Sequence, residues 1–327
     1  MQVRRFWAAA VAALCCTSSA AFALEGPTPG PFGGSDIRTA QLPQPGLYGG
    51  FSAVYANGRS FYDGDGQEVT ARRGGDLNYF YGAAFLYYAP EVRILGGRFG
   101  LLGTLRTGDV CGRLRSTTST NCAAGFGDPY VTVNWSRYFG HHHPSRFAGA
   151  PAVAEGLWVA LGLGVIFPFG QYDATETTAY GTSVGRNVWD FAPTVAVTYT
   201  TPPLIADGTE FSARLHWNNY LTDPATGYSY GPLLNVDFAV SEVIGRVQVG
   251  IAGRYGFQTA DDKLNGVTIA PDGRRSETLN LGPVLAVDIE GIGVLKLKGQ
   301  VSIIRRNAMD NYGVSLTFAR RLWGPVY

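Results

Sequence analysis

A side-chain period of two, recurring from about residue 46 onward, limits this chain more than any other feature of its sequence. In 189 to 199, Trp189, Phe191, Val195, Val197 and Tyr199 alternate with Asp190, Ala192, Thr194, Ala196 and Thr198. That pattern puts successive side chains on opposite faces of a strand and cannot be drawn as a helical stripe. It returns in 157 to 167, 211 to 218, 234 to 241, 247 to 258, 279 to 289, 295 to 303 and 312 to 318. In noisier form it runs through 46 to 56, 79 to 88, 99 to 107 and 129 to 139. About twelve candidate strands result, each roughly 9 to 12 residues long. Strands of soluble sandwiches average about five or six residues, whereas one crossing a bilayer at a tilt needs about 9 to 11. The expected fold is all-β, a transmembrane antiparallel β-barrel of about 12 strands with long extracellular loops.

Connection lengths test this independently, because outer-membrane barrels have long outside loops and short periplasmic turns. With the N-terminus on the periplasmic side, 57 to 78, 108 to 125, 168 to 187, 220 to 230 and 259 to 276 fall outside and are long and polar. The opposite connections near 89 to 98, 201 to 208, 242 to 246 and 290 to 293 are short. One departs: 140 to 155, containing His141, His142, His143 and Pro144, is long yet falls on the inner side. Tyr79, Tyr81, Tyr87, Tyr88, Trp135, Tyr138, Trp189, Tyr199, Trp217, Tyr255, Tyr312 and Trp323 lie mainly near strand ends, where an amphipathic ring suits headgroup depth. The terminal residue is aromatic, Tyr327, although Gly324 and Pro325 interrupt the alternation before it.

The first residues read as an export signal. Arg4 and Arg5 precede an apolar stretch from Phe6 to Cys16, and Ala21-Phe22-Ala23 offers a cleavage site, which assigns 1–23 to a signal peptide. Residues 24–45 carry Pro27, Pro29, Pro31, Pro43 and Pro45 without any period, and form either a periplasmic tether or a segment inserted into the lumen. Residues 46–327 are the barrel, placed in the outer membrane of a Gram-negative bacterium, with outer-membrane lipid and the barrel assembly machinery as partners. Cys111 and Cys122 remain in the mature chain and, in an oxidising compartment, are expected to form a disulfide. A net charge of +1 with 16% charged residues excludes a nucleic-acid binder steered by phosphate attraction.

If the apolar face meets lipid, the other lines a lumen holding Arg106, Asp190, Arg214, His216, Asp237, Arg254, Lys296 and Lys298. Such groups are costly to bury unpaired, which leaves two arrangements open. One is a water-filled pore whose charges filter solutes, and the other a closed interior where cations and carboxylates form a structural network. Twelve strands enclose more room than the eight whose interior side chains just fill a barrel. An excess of basic over acidic candidates favours anionic solutes such as aromatic carboxylates.

Seven stretches, in order, also carry a resemblance: LPQPGLYGGF (42 to 51), DGDGQEV (63 to 69), ILGGRFG (94 to 100), GFGDPYV (125 to 131), FPFGQYD (167 to 173), GRNVWDFAPTVAVTY (185 to 199) and RYGFQTADDKLNGV (254 to 267). In these the chain resembles the outer-membrane transporters named for the meta pathway of phenol degradation. The resemblance implies a channel for passive uptake of small hydrophobic or aromatic compounds, with no catalytic residues and no cofactor. The Cys111/Cys122 loop and the His-Pro segment depart from that family. A structural or adhesive barrel with a plugged lumen is the alternative reading.

Neither a metal nor an enzymatic site is expected. DGDG at 63 to 66 resembles half a calcium loop, but Gly74 stands where the twelfth-position Glu belongs. Consecutive histidines at 141 to 143 point to different sides of an extended segment, with no acidic or thiol ligand nearby. Hydrolytic chemistry needs a serine, a histidine and an orienting group together, and only His216 lies in an expected strand, facing the lumen.

Overall fold

The computed structural model describes residues 35–69, 76–113 and 120–324. The assigned signal peptide, residues 24–34, Gly74 and Tyr327 lie outside them. Twelve long strands are present: β1 (Gly46–Gly58), β2 (Leu77–Ala89), β3 (Gly97–Gly112), β4 (Tyr130–His143), β5 (Val153–Ile166), β6 (Asp190–Thr200), β7 (Gly208–Tyr220), β8 (Leu233–Ile244), β9 (Val247–Gln258), β10 (Glu277–Ile289), β11 (Gly293–Arg306) and β12 (Tyr312–Trp323). Each pairs antiparallel with its neighbour in the chain. β12 pairs back onto β1, which closes the barrel and removes the free sheet edges. A strand of 13 residues such as β1 is about 43 Å long at ~3.3 Å per residue, and tilted by about 45° it spans roughly the 30 Å of a hydrocarbon core.

The side chains are arranged inside out relative to a soluble protein. Along β6, Phe191, Val195, Val197 and Tyr199 are exposed while Asp190, Ala192, Thr194, Ala196, Thr198 and Thr200 are buried. The same inversion leaves Phe51, Leu105, Leu161, Ile251 and Ile303 on the outer wall and Ser212, Asn235 and Gln248 within. Only lipid makes an apolar exterior of this extent stable, so the barrel stands in an outer membrane. Among the described residues no helix is long and apolar enough to cross a membrane. A short helix, α1 (Ala174–Tyr180), lies in the connection between β5 and β6, capped by the Asp173 carboxylate on the Glu176 N–H.

Three local expectations change. The long inner connection shrinks because β4 and β5 extend, with His141, His142 and His143 in β4 paired to Glu155, Ala154 and Val153. Those histidines are therefore in a strand, and His141 has an acidic neighbour that is distant in sequence, Glu155 at 3.5 Å. Among the aromatics assigned to headgroup depth, Tyr79, Tyr81 and Tyr87 instead face the lumen, where they line its cavity. A period of two puts an aromatic on one of two faces without saying which face meets lipid when both carry rings. Tyr88, Tyr199, Trp217, Tyr312 and Trp323 are exposed on the outside.

Candidate functional site

Residues 35 to 42 of the N-terminal segment lie inside the lumen. Asp36, fully buried, sits between the ammonium groups of Lys296 at 2.7 Å and Lys298 at 2.8 Å. Burial opposes ionisation of this carboxyl, but the two lysines outweigh it and hold the group well below the ordinary carboxylate range. Ser35 donates its hydroxyl to Asp237 at 2.5 Å and lies 3.2 Å from His216 Nε2. The Arg38 N–H donates to Glu210 at 2.6 Å, the Ala40 N–H to Thr198 at 3.1 Å, and Ser136 donates to the Ala40 carbonyl at 2.5 Å. Arg214 gives its guanidinium to the Thr39 carbonyl, to Thr39 Oγ1 at 2.9 Å and to Asn134 Oδ1 at 2.9 Å. Ile37 packs on Ala239, Ala252 and Val284, whose small size leaves it room.

Gly162 shows how the wall is cut to fit. It lies between Asn134 on β4 and Thr194 on β6, and a Cβ there would come within 2.4 Å of Asn134 Oδ1 and 2.7 Å of Thr194 Oγ1. Both oxygens are acceptors for Arg214. A larger residue would push aside the groups that carry the guanidinium holding Thr39.

The opposite side of the lumen is open. A cavity of about 1000 Å³ is lined at its outer end by Tyr228, Asp262 and Arg274 and at its inner end by Leu42, Tyr48 and Arg321. Between them Tyr79, Tyr81, Phe85 and Tyr87 of β2 and Tyr130 of β4 present rings, with Arg106 and Arg254 among them. The β5–β6 connection folds into the outer mouth, burying Thr182, Ser183 and Val184. Asp128 fixes it there, accepting the N–H of Gly170 at 2.9 Å and that of Arg186 at 2.7 Å.

The structure thus divides the residues proposed for the lumen. Arg214, His216, Asp237, Lys296 and Lys298 gather around the N-terminal segment, with Arg214, His216 and Lys298 also bordering the cavity, while Arg106 and Arg254 line the cavity away from that segment's bonds. The ladder sets Arg214, Asp237 and Arg254 side by side across β7, β8 and β9. Asp190 lies at the outer end of β6 and accepts the Asn219 N–H at 3.2 Å. Asp36, Arg186 and the luminal tyrosines were not singled out as lumen residues from sequence. Asp36 and Arg186 sit in segments without a period, so nothing local marks them. Cys111 and Cys122 are bonded with an S–S distance of 2.03 Å, joining β3 to a short strand, Asn121–Phe126, that pairs with its outer end. Among the described residues no group of three or more His, Cys, Asp or Glu side chains could hold a metal ion.

Residues 58–318 match the model of a family described as "Putative MetA-pathway of phenol degradation". Among solved structures the chain is similar to an outer membrane channel from Pseudomonas putida F1, with a TM-score of 0.70 and 13% identity over 89% of this chain and 99% of that one. It is more distantly similar to the transport unit of the autotransporter AIDA-I from Escherichia coli, with a TM-score of 0.45 and 11% identity over 88% of this chain and 93% of that one. The likeness to the outer membrane channel is one of fold. No curated protein matches the chain in sequence.

Proposed function

The chain belongs to the family of the MetA pathway of phenol degradation, and on that footing we propose that it is an outer-membrane channel for passive uptake of small hydrophobic or aromatic compounds. The observation that carries this reading is the cavity beside the N-terminal segment, whose lining runs from the outer mouth to the inner rim. Its rings and small apolar side chains give an aromatic solute a surface to leave water for. The fold's likeness to a protein described as an outer membrane channel supports the same reading.

The test is conductance and liposome swelling of the refolded barrel with benzoate, phenol and a sugar of similar size. Permeation of the aromatics above the sugar is the expected result. A barrel silent in both assays refutes uptake and favours the alternative, a structural or adhesive barrel with a plugged lumen. That second reading draws its support from the ion pairs and hydrogen bonds that tie residues 35 to 40 to the wall.

A further inference from the structure

Below the outer mouth of the cavity, where the inward-folded connection meets β3, two cations have no direct ion pair with a carboxylate. Among the described residues neither Arg106 nor Arg186 forms an ion pair. Arg106 gives Nε and Nη2 to the main-chain carbonyl of Asp128, at 3.1 and 2.9 Å. The Asp128 carboxylate, close enough to be felt by both arginines through space, gives its oxygens to backbone N–H groups and makes no direct pair with either. Arg186 Nη1 is buried with no hydrogen-bond partner, although the side chain lines the cavity. A guanidinium nitrogen without an acceptor is costly to desolvate, so a site that keeps one is suited to a ligand that brings its own acceptor.

What lies beside these arginines narrows the ligand. The rings of Tyr79 and Tyr81 are 5.6 Å apart and pack on a buried cluster of Leu77, Val110 and Val184. Val184 belongs to the same inward-folded connection as Arg186 and meets the Arg106 side at Gly127, where a Cβ would be 3.4 Å from Arg106 Cβ and 3.6 Å from Val184 Cγ1. A cationic fork and an apolar, aromatic shelf therefore adjoin. A neutral phenol would leave the fork unpaired, and an inorganic anion would leave the shelf wet.

We propose that this part of the cavity is a binding site for aromatic acids, whose carboxylate is taken by Arg106 and Arg186 while the ring rests on Tyr79, Tyr81 and Val184. The site deepens the channel reading, on which it rests for its purpose, by naming the class of solute selected there. Arg186 is the specificity-determining residue, because its main-chain N–H rather than its guanidinium holds the connection to Asp128.

The experiment is a ¹⁹F NMR titration of the refolded full-length barrel with 4-fluorobenzoate and with the neutral isostere 4-fluorobenzyl alcohol. The acid should bind saturably and at least about tenfold more tightly than the alcohol, the range expected of a charge-assisted hydrogen bond. Arg186→Gln should weaken the acid by about tenfold and leave the alcohol unchanged, and Arg186→Lys should recover part of the loss. Equal binding of acid and alcohol, or an Arg186→Gln barrel that binds the acid like the unaltered one, overturns the proposal. Liposome flux of the same two compounds separates this outcome from failure of the channel reading. Saturable acid binding without flux refutes transport and leaves the site standing, whereas flux without preference for the acid refutes the site alone.

Discussion

Replacing Asp36 by Asn removes one negative charge from between two lysines, and its consequence can be worked from the structure. The Asp36 side chain is 1% exposed and that of Lys298 3%, so water screens the pairs very little. Removing one partner of a buried pair costs about 3 to 5 kcal/mol, because the remaining charge is left uncompensated. The bonds at Ser35, Arg38, Ala40 and Thr39 remain, each contributing on the order of 1 kcal/mol. Asp36→Asn therefore should not expel residues 35 to 42 outright. At the lower figure it shifts the ratio of released to docked segment by roughly 150-fold, since about 1.4 kcal/mol is a factor of ten. Single-channel recording reads that ratio as the fraction of time in a larger-conductance state, with a chain lacking 24 to 41 as the fully released reference. If the deletion leaves conductance unchanged, the segment does not obstruct the path. If the deletion raises conductance but Asp36→Asn behaves like the unaltered protein, the ion pairs do not hold the segment.

The same carboxyl sets the sign of the pH response. Its folded-state pKa is depressed, so its contribution is complete above the ordinary carboxylate value of about 3.9 and is lost only as pH falls through the lower folded value. Acidification from about pH 7 to about pH 4.5 should thus leave the larger-conductance fraction unchanged, and a rise within that window would show that another group governs docking.

Two further results are expected. Leu105, 65% exposed near the middle of β3, faces lipid, and Leu105→Arg should destabilise the barrel by about 2 to 4 kcal/mol in urea unfolding from vesicles, whereas no change would place that face in water. Cys111 and Cys122 close a loop with a sequence separation of 11, so replacing both by Ser should cost up to about 3 kcal/mol and hasten proteolysis of the outer β3 hairpin, with flux retained. Loss of aromatic flux in that variant would tie the hairpin to the path instead.

Strand count, topology and sidedness were legible in the chain because a membrane barrel writes its two solvents onto alternate residues. Wherever one face was apolar and the other small or polar, as in Asp190–Thr200, the sequence placed strand and face together. Where both faces carried rings, as in Leu77–Ala89, alternation located the strand but could not assign Tyr79, Tyr81 and Tyr87 to the lumen. The ends of β4 and β5 were missed because His141 to His143 gain their strand only by pairing with residues beyond the turn.

The charged residues facing the lumen could be named from their positions, but not their roles. Lys296 and Lys298 share a face of β11 by the period of two, yet the carboxylate between them comes from a segment some 260 residues earlier that has no period at all. Arg106 and Arg186 become neighbours of one cavity only when the β5–β6 connection folds inward onto Asp128. The sequence by itself determined a closed barrel with an apolar outside, because strand periodicity is local and lipid acts on every residue separately. Tertiary structure alone decided which luminal charges anchor the N-terminal segment and which do not, because that depends on partners brought together across the barrel.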